Sequence, residues 1–435
     1  MIKHPVKTLL DAQADHQVCG LISVCSGNFL VIETAVEQAK RQNLTIIVEA
    51  TANQVNQYGG YTGLTPGDFA ERVYQIADQC QLDRRQLILG GDHLGPMVWK
   101  NEPSAQAMEK ARELVKLYVE AGFTKIHLDT SMHLADDDAD MKLPTELAAG
   151  RTAQLALAAE AAWEQVKDQS SRLTPVYVIG SEVPVAGGST DHHAVSIPSP
   201  DTVDDMIRCF ENTFISSGLA DFWQQVIVMV VQAGVEFSPH DIIEYDHEKA
   251  QNLSDKMKAC KDYLFECHST DYQTQDALRQ LVKDGLRILK VGPGLTFALR
   301  EALFGLALIE DELIKAGTLR QASDFVNVLD DAMVKDPRHW QGHHHGSAEE
   351  MRLARLYSYA DRCRYYMQVP GVEKAFDQLV RNLAGCEIPL YLISQFLPKQ
   401  YEKIRNRQLD VHPVSMIKDA VSEVLQTYFT AAAGE

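Results

Sequence analysis

The sequence places a carboxylate and an imidazole side by side in the segment Leu87-Ile-Leu-Gly-Gly-Asp-His-Leu-Gly-Pro96. The apolar start of this segment is typical of a buried strand, and Gly95 and Pro96 break the chain directly after it. Asp92 can transfer a proton, and the neutral imidazole of His93 can bind a metal ion. A buried strand that stops at this pair predicts an acid/base group and a metal ligand at one edge of a sheet.

The chain repeats a pattern in which a short, β-branched strand is followed by an amphipathic helix. The eight strands are predicted at 18–25, 44–51, 87–96, 124–129, 175–182, 226–232, 262–268 and 286–292. The helices are predicted near 28–41, 65–80, 103–121, 145–168, 202–216, 239–258 and 271–284, and another begins near 295. Eight such units, with strands that read as buried on both faces, favour a closed (β/α)8 TIM barrel over an open doubly wound sheet. The dinucleotide-binding fingerprint G-x-G-x-x-G does not follow the first strand, which agrees with the barrel.

The strand rhythm stops near residue 320. Residues 1–320 are therefore predicted to form the TIM-barrel domain, and residues 321–435 a helical C-terminal extension docked on it. Further helices are predicted near 348–366, 372–383 and 414–429. A loop is predicted at 336–346, where three consecutive histidines (343–345) favour a solvated segment over a metal site.

The composition excludes several classes of function. The 435 residues include 41 basic and 60 acidic side chains, and the net charge of −19 argues against a nucleic-acid groove or an anionic membrane surface as the partner. The sequence shows no apolar run of about 18 residues and no pattern typical of a signal peptide. The eight cysteines form no C-x-x-C pair, so we expect free thiols in a cytoplasmic protein.

Polar groups stand at nearly every predicted strand end, where barrels of this class hold their chemistry. These groups are Ser26, Glu49, Asp92, His93, Asp129, Glu182, Gln232, His268 and Gly292. His93, Glu182 and His268 would supply two nitrogens and one oxygen to a catalytic divalent metal with an open position. The alternative is that one or more of these histidines hydrogen-bonds a carbonyl at the rim. Asp92 and Asp129 are the candidates for proton transfer at a substrate hydroxyl, although Asp129 could equally cap the next helix.

Two glycine-bearing turns could bind a substrate phosphate through backbone N–H groups and a helix dipole. One is Gly187-Gly188, for which a plain tight turn is an equally good interpretation, and the other is Lys290-Val-Gly-Pro-Gly-Leu-Thr296 at a helix start. Two hydroxyl groups near the seventh strand could add donors. The predicted phosphate site consists of Ser269, Thr270, Gly292 and Gly294.

Five segments are similar to a known family: 48–60, 90–96, 267–273, 289–300 and 393–400. They resemble the Z subunit of class II D-tagatose-1,6-bisphosphate aldolase, and the resemblance spans nearly the whole chain. It implies a TIM barrel and a non-catalytic accessory subunit, needed for the activity and stability of a catalytic aldolase partner in galactitol or N-acetylgalactosamine catabolism. Some relatives are described instead as metal-dependent ketose 4-epimerases. Members are also described as tagatose 6-phosphate kinases, but the chain carries no Walker run and no kinase signature.

A weaker resemblance, to the catalytic class II aldolases, implies roles for individual residues. In Asp92-His93 the aspartate would be the proton donor and the histidine a metal ligand, and His268-Ser269 would be the later metal-binding motif. Lys290-Val-Gly292 is similar to a Lys-Val-Asn phosphate loop. Where those aldolases carry another ligand after the sixth strand, this chain has Gln232-Ala-Gly-Val-Glu236, so Glu182 is the candidate that completes the site.

These observations leave three functions open. An accessory subunit of the lyase would stabilise a catalytic aldolase partner through its surface and helical tail, and this is the main prediction. An enzyme would use a divalent metal, expected to be zinc, to chelate the C2 carbonyl and C3 hydroxyl of a ketose or ketose phosphate, while Asp92 acts on the C4 hydroxyl. Cleavage between C3 and C4 would give aldolase products, and re-addition to the other face of the aldehyde would give a tagatose–fructose 4-epimerase, the alternative prediction. A pure binding or scaffold protein agrees least with the sequence, because a barrel mouth without chemistry does not need these polar groups together. A homo-oligomer is compatible with each of the three functions.

Overall fold

Eight parallel strands close a barrel in the computed structural model, which describes residues 3–169, 172–180 and 195–434. The strands are β1 (Leu21–Cys25), β2 (Ile46–Thr51), β3 (Leu87–Leu94), β4 (Lys125–Leu128), β5 (Val176–Ile179), β6 (Val226–Val230), β7 (Leu264–Cys267) and β8 (Leu286–Val291). They follow one another around the barrel in chain order, and β8 closes it by pairing with β1. The predicted (β/α)8 barrel is confirmed.

Helices surround the strands and continue beyond them. The barrel part contains α1 (Pro5–Ala14), α2 (Phe29–Gln42), α3 (Pro66–Gln79), α4 (Ser104–Glu120), α5 (Thr145–Val166), α6 (Pro200–Ser216), α7 (Ala220–Trp223), α8 (His247–Ala259), α9 (Gln275–Lys283) and α10 (Pro293–Lys315). The C-terminal part contains α11 (Phe325–Lys335), α12 (Ala348–Tyr357), α13 (Pro370–Ala384), α14 (Leu390–Phe396), α15 (Pro398–Arg405) and α16 (Pro413–Ala432). The expected helical C-terminal region is therefore present.

Two predicted helices are shorter than expected. The helix predicted from residue 239 begins only at His247, because the Ser238 hydroxyl accepts hydrogen bonds from the next backbone N–H groups and turns the chain into a small antiparallel pair, Glu236–Phe237 with Ile242–Ile243. The helix predicted over 348–366 stops at Tyr357. Ser358 ends it by adopting an extended backbone, with φ −63° and ψ 154°, and a separate 3₁₀ turn, Arg362–Tyr366, follows after the left-handed Asp361.

The barrel interior is layered along its axis. Val6 and Leu9 of α1 pack against inward-facing side chains such as Ile47, Ile88 and Ile288, and this apolar cluster fills one end. Above it the inward positions become charged or imidazole-bearing, which leads to the mouth at the carboxyl ends of the strands. The apolar layer supports the polar one and keeps water out of it from below.

The C-terminal helix α16 is part of the barrel's outer layer. It contacts α2, α9 and α10, and it also reaches β1. The backbone N–H of Gly20, just before β1, donates to the carbonyl of Ala432 at a distance of 2.8 Å. Of the three histidines in the loop that was predicted to be solvated, His344 is buried, with 3% of its surface exposed, whereas His345 is exposed. Among the described residues, no helix is long and apolar enough to cross a membrane.

Candidate functional site

Two lysines and three carboxylates form a charged floor beneath the barrel mouth. Lys125 on β4 lies 2.7 Å from a carboxylate oxygen of Glu49 and 2.6 Å from one of Glu266, and all three side chains are fully buried. Lys290 on β8 pairs with Glu49 and, at 2.6 Å, with Asp92. The acids raise the pKa of both lysines against the opposing effect of burial, so both ammonium groups stay protonated. This floor is a buried ionic network in which every charge has a partner.

Three histidines meet directly above this floor. The ring centroids of His93 and His268 are 4.9 Å apart, and those of His93 and His127 are 5.1 Å apart. His127 and His268 lie 5.4 Å apart. Ligand atoms of these three rings and of the Asp92 carboxylate all lie within 4.8 Å of one another, and all four side chains are buried. The cluster has the size and the donor atoms of a transition-metal site.

Each of these histidines has a carboxylate partner on one ring nitrogen. His93 Nδ1 lies 2.8 Å from Asp129 Oδ2, and His268 Nε2 lies 2.9 Å from Glu266 Oε1. His127 Nδ1 lies 3.0 Å from Asp92 Oδ1. A carboxylate that accepts a hydrogen bond from one ring N–H leaves the other nitrogen as a lone-pair donor, which is the arrangement found around protein-bound metals.

The second ring nitrogen of His127 is available as a metal ligand. Its Nε2 atom is buried and has no hydrogen-bond partner among the described residues. The alternative tautomer, in which Nδ1 accepts from the backbone N–H of His93 at 3.2 Å, would put a proton on that same buried Nε2 without an acceptor. An unpaired buried nitrogen beside two other imidazoles suits a divalent metal, so the residues of the cluster fit a metal site.

The electrostatics of the cluster favour a neutral His268 and an ionised Asp92. Burial is the main cause that lowers the pKa of His268 to about 4. For His93 burial acts in the same direction, but Asp92 and Asp129 outweigh it and raise the pKa of the imidazole. The positive groups nearby overcome burial and hold the pKa of Asp92 well below its usual range. At neutral pH the cluster therefore presents an ionised Asp92 beside a neutral His268.

The glycines of the motif at the end of β3 are required by close packing. A Cβ atom on Gly90 would lie 2.5 Å from the Glu49 carboxylate, and one on Gly95 would lie 1.7 Å from the carbonyl oxygen of Asp129. Between them His93 adopts a left-handed backbone with a φ of 46°, which is uncommon for a non-glycine residue. The backbone here is shaped to bring the His93 ring into the cluster.

The structure brings most of the predicted site residues together. His93, His268 and Asp92 share one cavity, and Asp129 orients His93 while its other oxygen accepts from the N–H and the hydroxyl of Ser131. Gln232 does not join them, because its side chain accepts from the N–H of Gly234. The third metal ligand predicted, Glu182, and the Gly187-Gly188 turn lie outside the described residues.

The predicted phosphate donors already have partners within the chain. The backbone N–H groups of Gly292 and Gly294 both donate to Asp271 Oδ1, at 2.9 and 2.7 Å. The hydroxyl of Thr270 donates to the carbonyl of Lys290 and is fully buried. Of the four residues, Ser269 and Gly292 line the cavity. A protein carboxylate thus occupies the place that the prediction gave to a substrate phosphate.

Sequence reasoning missed the contribution of the C-terminal part to the mouth. Arg364 and Tyr365, from the 3₁₀ turn after α12, line the same cavity as Asp92, His93 and His268. Thr51, Asn53, Gln54 and Tyr61 complete its wall from the loop after β2. The cavity is therefore a joint product of the barrel and the segment that follows it.

Comparison with known proteins identifies the family. A model of the D-tagatose-1,6-bisphosphate aldolase subunit GatZ/KbaZ-like family matches residues 6–433. This chain belongs to the GatZ/KbaZ-like family. The crystal structure of a probable tagatose 6 phosphate kinase from Sinorhizobium meliloti 1021 is 43% identical to this GatZ/KbaZ-like chain, covers 95% of it and 100% of that chain, and superimposes with a TM-score of 0.85.

More distant solved structures also match this GatZ/KbaZ-like chain. The fructose-bisphosphate aldolase from Campylobacter jejuni is 14% identical, with 87% of this chain and 93% of that chain covered and a TM-score of 0.45. The fructuronate-tagaturonate epimerase UxaE from Cohnella laeviribosi is 11% identical, with 94% of this chain and 81% of that chain covered and a TM-score of 0.45. The family resemblance seen in the motifs is confirmed by the family model and by the relative at 43% identity.

The GatZ/KbaZ-like chain also holds a titratable acid that the motifs did not single out. Glu236, on the short strand after β6, is 6% exposed, and burial raises its pKa to about 7. A hydrogen bond with Ser269 opposes that shift, and the neighbouring Phe237 lines the cavity. A carboxyl group with a pKa near neutrality can both donate and accept a proton at physiological pH.

Proposed function

We propose that this chain binds a divalent metal ion at His93, His127 and His268 and acts on a ketose sugar by retro-aldol chemistry. The observation that supports this most is the set of three imidazoles, each held by a carboxylate on one ring nitrogen. Three nitrogen ligands with a further position for substrate is an arrangement that zinc takes in catalytic sites. His127 replaces Glu182 as the proposed third ligand, because it lies in the cluster and has an unpaired nitrogen.

The metal, when bound, would act as a Lewis acid that polarises a substrate carbonyl. The chain's own groups do the remaining work. Asp92 is ionised and is held by Lys290 and His127, so its carboxylate can accept the proton of a substrate hydroxyl as the C3–C4 bond breaks. Asp129 fixes the tautomer of His93 and does not line the cavity that Asp92 lines, so we propose a positioning role for it. Re-addition to the other face of the aldehyde would give 4-epimerisation, and departure of the two fragments would give aldolase products.

We also propose that the chain works as a subunit beside a catalytic tagatose-bisphosphate aldolase in the cytoplasm, in galactitol or N-acetylgalactosamine catabolism. The family model, which describes an aldolase subunit, supports this second proposal. The eight free cysteines agree with a reducing compartment. The two proposals are compatible, because a subunit can hold its own metal site.

Metal analysis of the purified protein tests the first proposal. Near-stoichiometric divalent metal is expected in the wild type, and His127→Ala should lose it while His345→Ala, an exposed histidine outside the cluster, should keep it. A folded wild-type protein that neither contains nor takes up a divalent metal would refute the site.

Activity assays separate the two proposals. The isolated chain should be assayed on tagatose, fructose and their phosphates, with and without a catalytic aldolase subunit. Turnover by the chain alone that disappears in His127→Ala supports an enzyme. Activity that needs the partner, and is unchanged when His127→Ala replaces the wild type in the complex, supports a purely accessory role.

A further inference from the structure

Two arginines next to the barrel mouth have no carboxylate partner among the described residues. Arg362 and Arg364 belong to the 3₁₀ turn Arg362–Tyr366, and Arg362 is only 5% exposed. Arg362 donates to His343 Nδ1 at 2.9 Å, and Arg364 donates to the carbonyl of Asp361 at 3.0 Å. In the described part of the chain, neither guanidinium lies within 4.0 Å of a carboxylate, and the buried Nε of Arg362 has no hydrogen-bond partner. A buried arginine normally has a counter-ion, so the buried Arg362 with the half-buried Arg364 beside it suits an anionic ligand.

The phenol between the two arginines reports a positive local field. Both guanidinium groups approach the Tyr365 hydroxyl, at 3.4 Å from Arg362 and 3.0 Å from Arg364. Burial raises the pKa of Tyr365, but the two arginines outweigh burial and lower it. The pKa of Arg362 itself falls to about 10, first through burial and also through Arg364. The charges of the described residues therefore leave this corner positive.

This positive corner adjoins the proposed metal cluster. Arg364 and Tyr365 line the cavity that contains Asp92, His93 and His268. Arg362 lines an adjoining cavity, and Asn53, Tyr61 and Tyr365 border both. A ligand bound at the cluster can therefore extend toward the two arginines.

The other anion position at the mouth is closed. The N–H groups of Gly292 and Gly294 at the start of α10 already bind the Asp271 carboxylate. A second anion placed there would meet that carboxylate at contact distance, and like charges repel most strongly where water is excluded. Among the described residues that line the two cavities, Arg362 and Arg364 are cations without a carboxylate partner, so an anionic substituent can pair with them.

We propose that Arg362 and Arg364 form a binding site for the phosphate monoester of the mouth's ligand, supplied by the C-terminal segment and not by the barrel loops. A phosphate monoester carries close to two negative charges at neutral pH, which matches two guanidinium groups better than a single carboxylate does. The identity of the ligand as a ketose phosphate rests on the proposed function. The anion site itself needs no metal.

Titration of the full-length, metal-stripped protein with inorganic phosphate tests the site without any catalytic activity. Saturable binding is expected by calorimetry, together with a rise in melting temperature as phosphate is added. Arg362→Gln and Arg364→Gln should each weaken phosphate binding at least tenfold. Arg338→Gln is the matched control, because Arg338 borders the same cavity as Arg362 but is exposed and paired with Asp336, and it should change nothing.

The outcomes are decisive even if one variant folds poorly. Arg362→Lys retains the charge and should bind phosphate more tightly than Arg362→Gln. Wild-type protein that phosphate neither binds nor stabilises at about 10 mM overturns the proposal, and so does unchanged binding in both glutamine variants. Acetate that binds as tightly as phosphate would overturn the assignment to a phosphate monoester. If phosphate binding follows the arginines but the protein takes up no metal, the proposed function fails while the anion site stands.

Discussion

Replacing Asp129 by asparagine should reduce metal affinity without removing a proposed ligand. Asp129 Oδ2 lies 2.8 Å from His93 Nδ1, and its other oxygen is held by the N–H of Ser131 at 3.0 Å and the Ser131 hydroxyl at 2.7 Å. In Asp129→Asn the carbonyl oxygen keeps the bonds from Ser131, so the amide NH2 faces His93. The imidazole must then accept at Nδ1 and carry its proton on Nε2, which removes the lone pair that would bind the metal.

The expected loss is about 10- to 100-fold in metal affinity, which corresponds to about 1.4–2.7 kcal/mol. A competition titration with a chromophoric chelator at pH 7.5 measures it, with Asp83→Asn as the control because Asp83 is exposed and pairs with Arg85. The pH profile gives a second readout. Asp129 helps to raise the pKa of His93, so the loss of metal affinity on acidification should begin at a lower pH in Asp129→Asn. Equal affinities and equal profiles in a folded variant would refute the role of Asp129 and the assignment of His93 as a ligand.

Three further predictions concern stability. Lys125→Met should lower the free energy of unfolding by roughly 3–5 kcal/mol, because it removes the nearest cation from the buried Glu266 carboxylate and leaves Glu49 with Lys290 alone. Lys3→Met, which removes an exposed ion pair, should have no measurable effect in the same denaturant titration. Glu236→Gln should not change the free energy of unfolding below pH 4.5 and should increase it by about 3 kcal/mol above pH 7. The pKa of Glu236 is about 7 in the folded protein against 4.5 in the unfolded chain, so the wild type loses stability as the pH rises through this window. A difference in stability that does not change with pH across the window would contradict the raised pKa of this buried acid. Tyr428→Phe should cost about 0.5–1.5 kcal/mol, because its hydroxyl donates to the Thr270 carbonyl at 2.7 Å inside the protein, and an unchanged midpoint would show that bond to be unimportant.

The barrel and part of its site follow from local sequence patterns. Alternating strands and helices predict the fold, because each parallel strand must be buried on both faces. Because His93 and His268 follow the apolar runs of β3 and β7, the sequence correctly predicted that they lie at the same mouth of the barrel. His127 was missed because only strand ends were considered. Yet Lys125 and His127 alternate with apolar neighbours on β4, and two polar residues at this spacing point to the same face of a buried strand, which here is the barrel interior.

The rest of the site depends on contacts between residues far apart in sequence. No local pattern shows that a turn near residue 364 reaches a mouth built by residues 25–292, since helix and turn signals do not specify docking. The role of Asp271 was equally hidden. A glycine-rich helix start predicts an anion site, but the pattern is the same whether the anion is a ligand or a carboxylate of the chain itself. Here the anion is the carboxylate of Asp271.

The position of α16 between α2 and α9 has a consequence for the order of events during protein synthesis. The ribosome synthesises β1 and α2 early, but the helix that covers them consists of residues 413–432. The backbone N–H of Gly20 therefore lacks its acceptor, the carbonyl of Ala432, until nearly the whole chain has been made. Until that helix emerges, the nascent barrel exposes apolar surface along its first strand, the kind of surface that chaperones bind and that drives aggregation. Folding of this protein is therefore expected to finish after translation has passed residue 432. Stalled or prematurely terminated chains that lack α16 should become substrates of chaperones and proteases, even though they contain all eight strands.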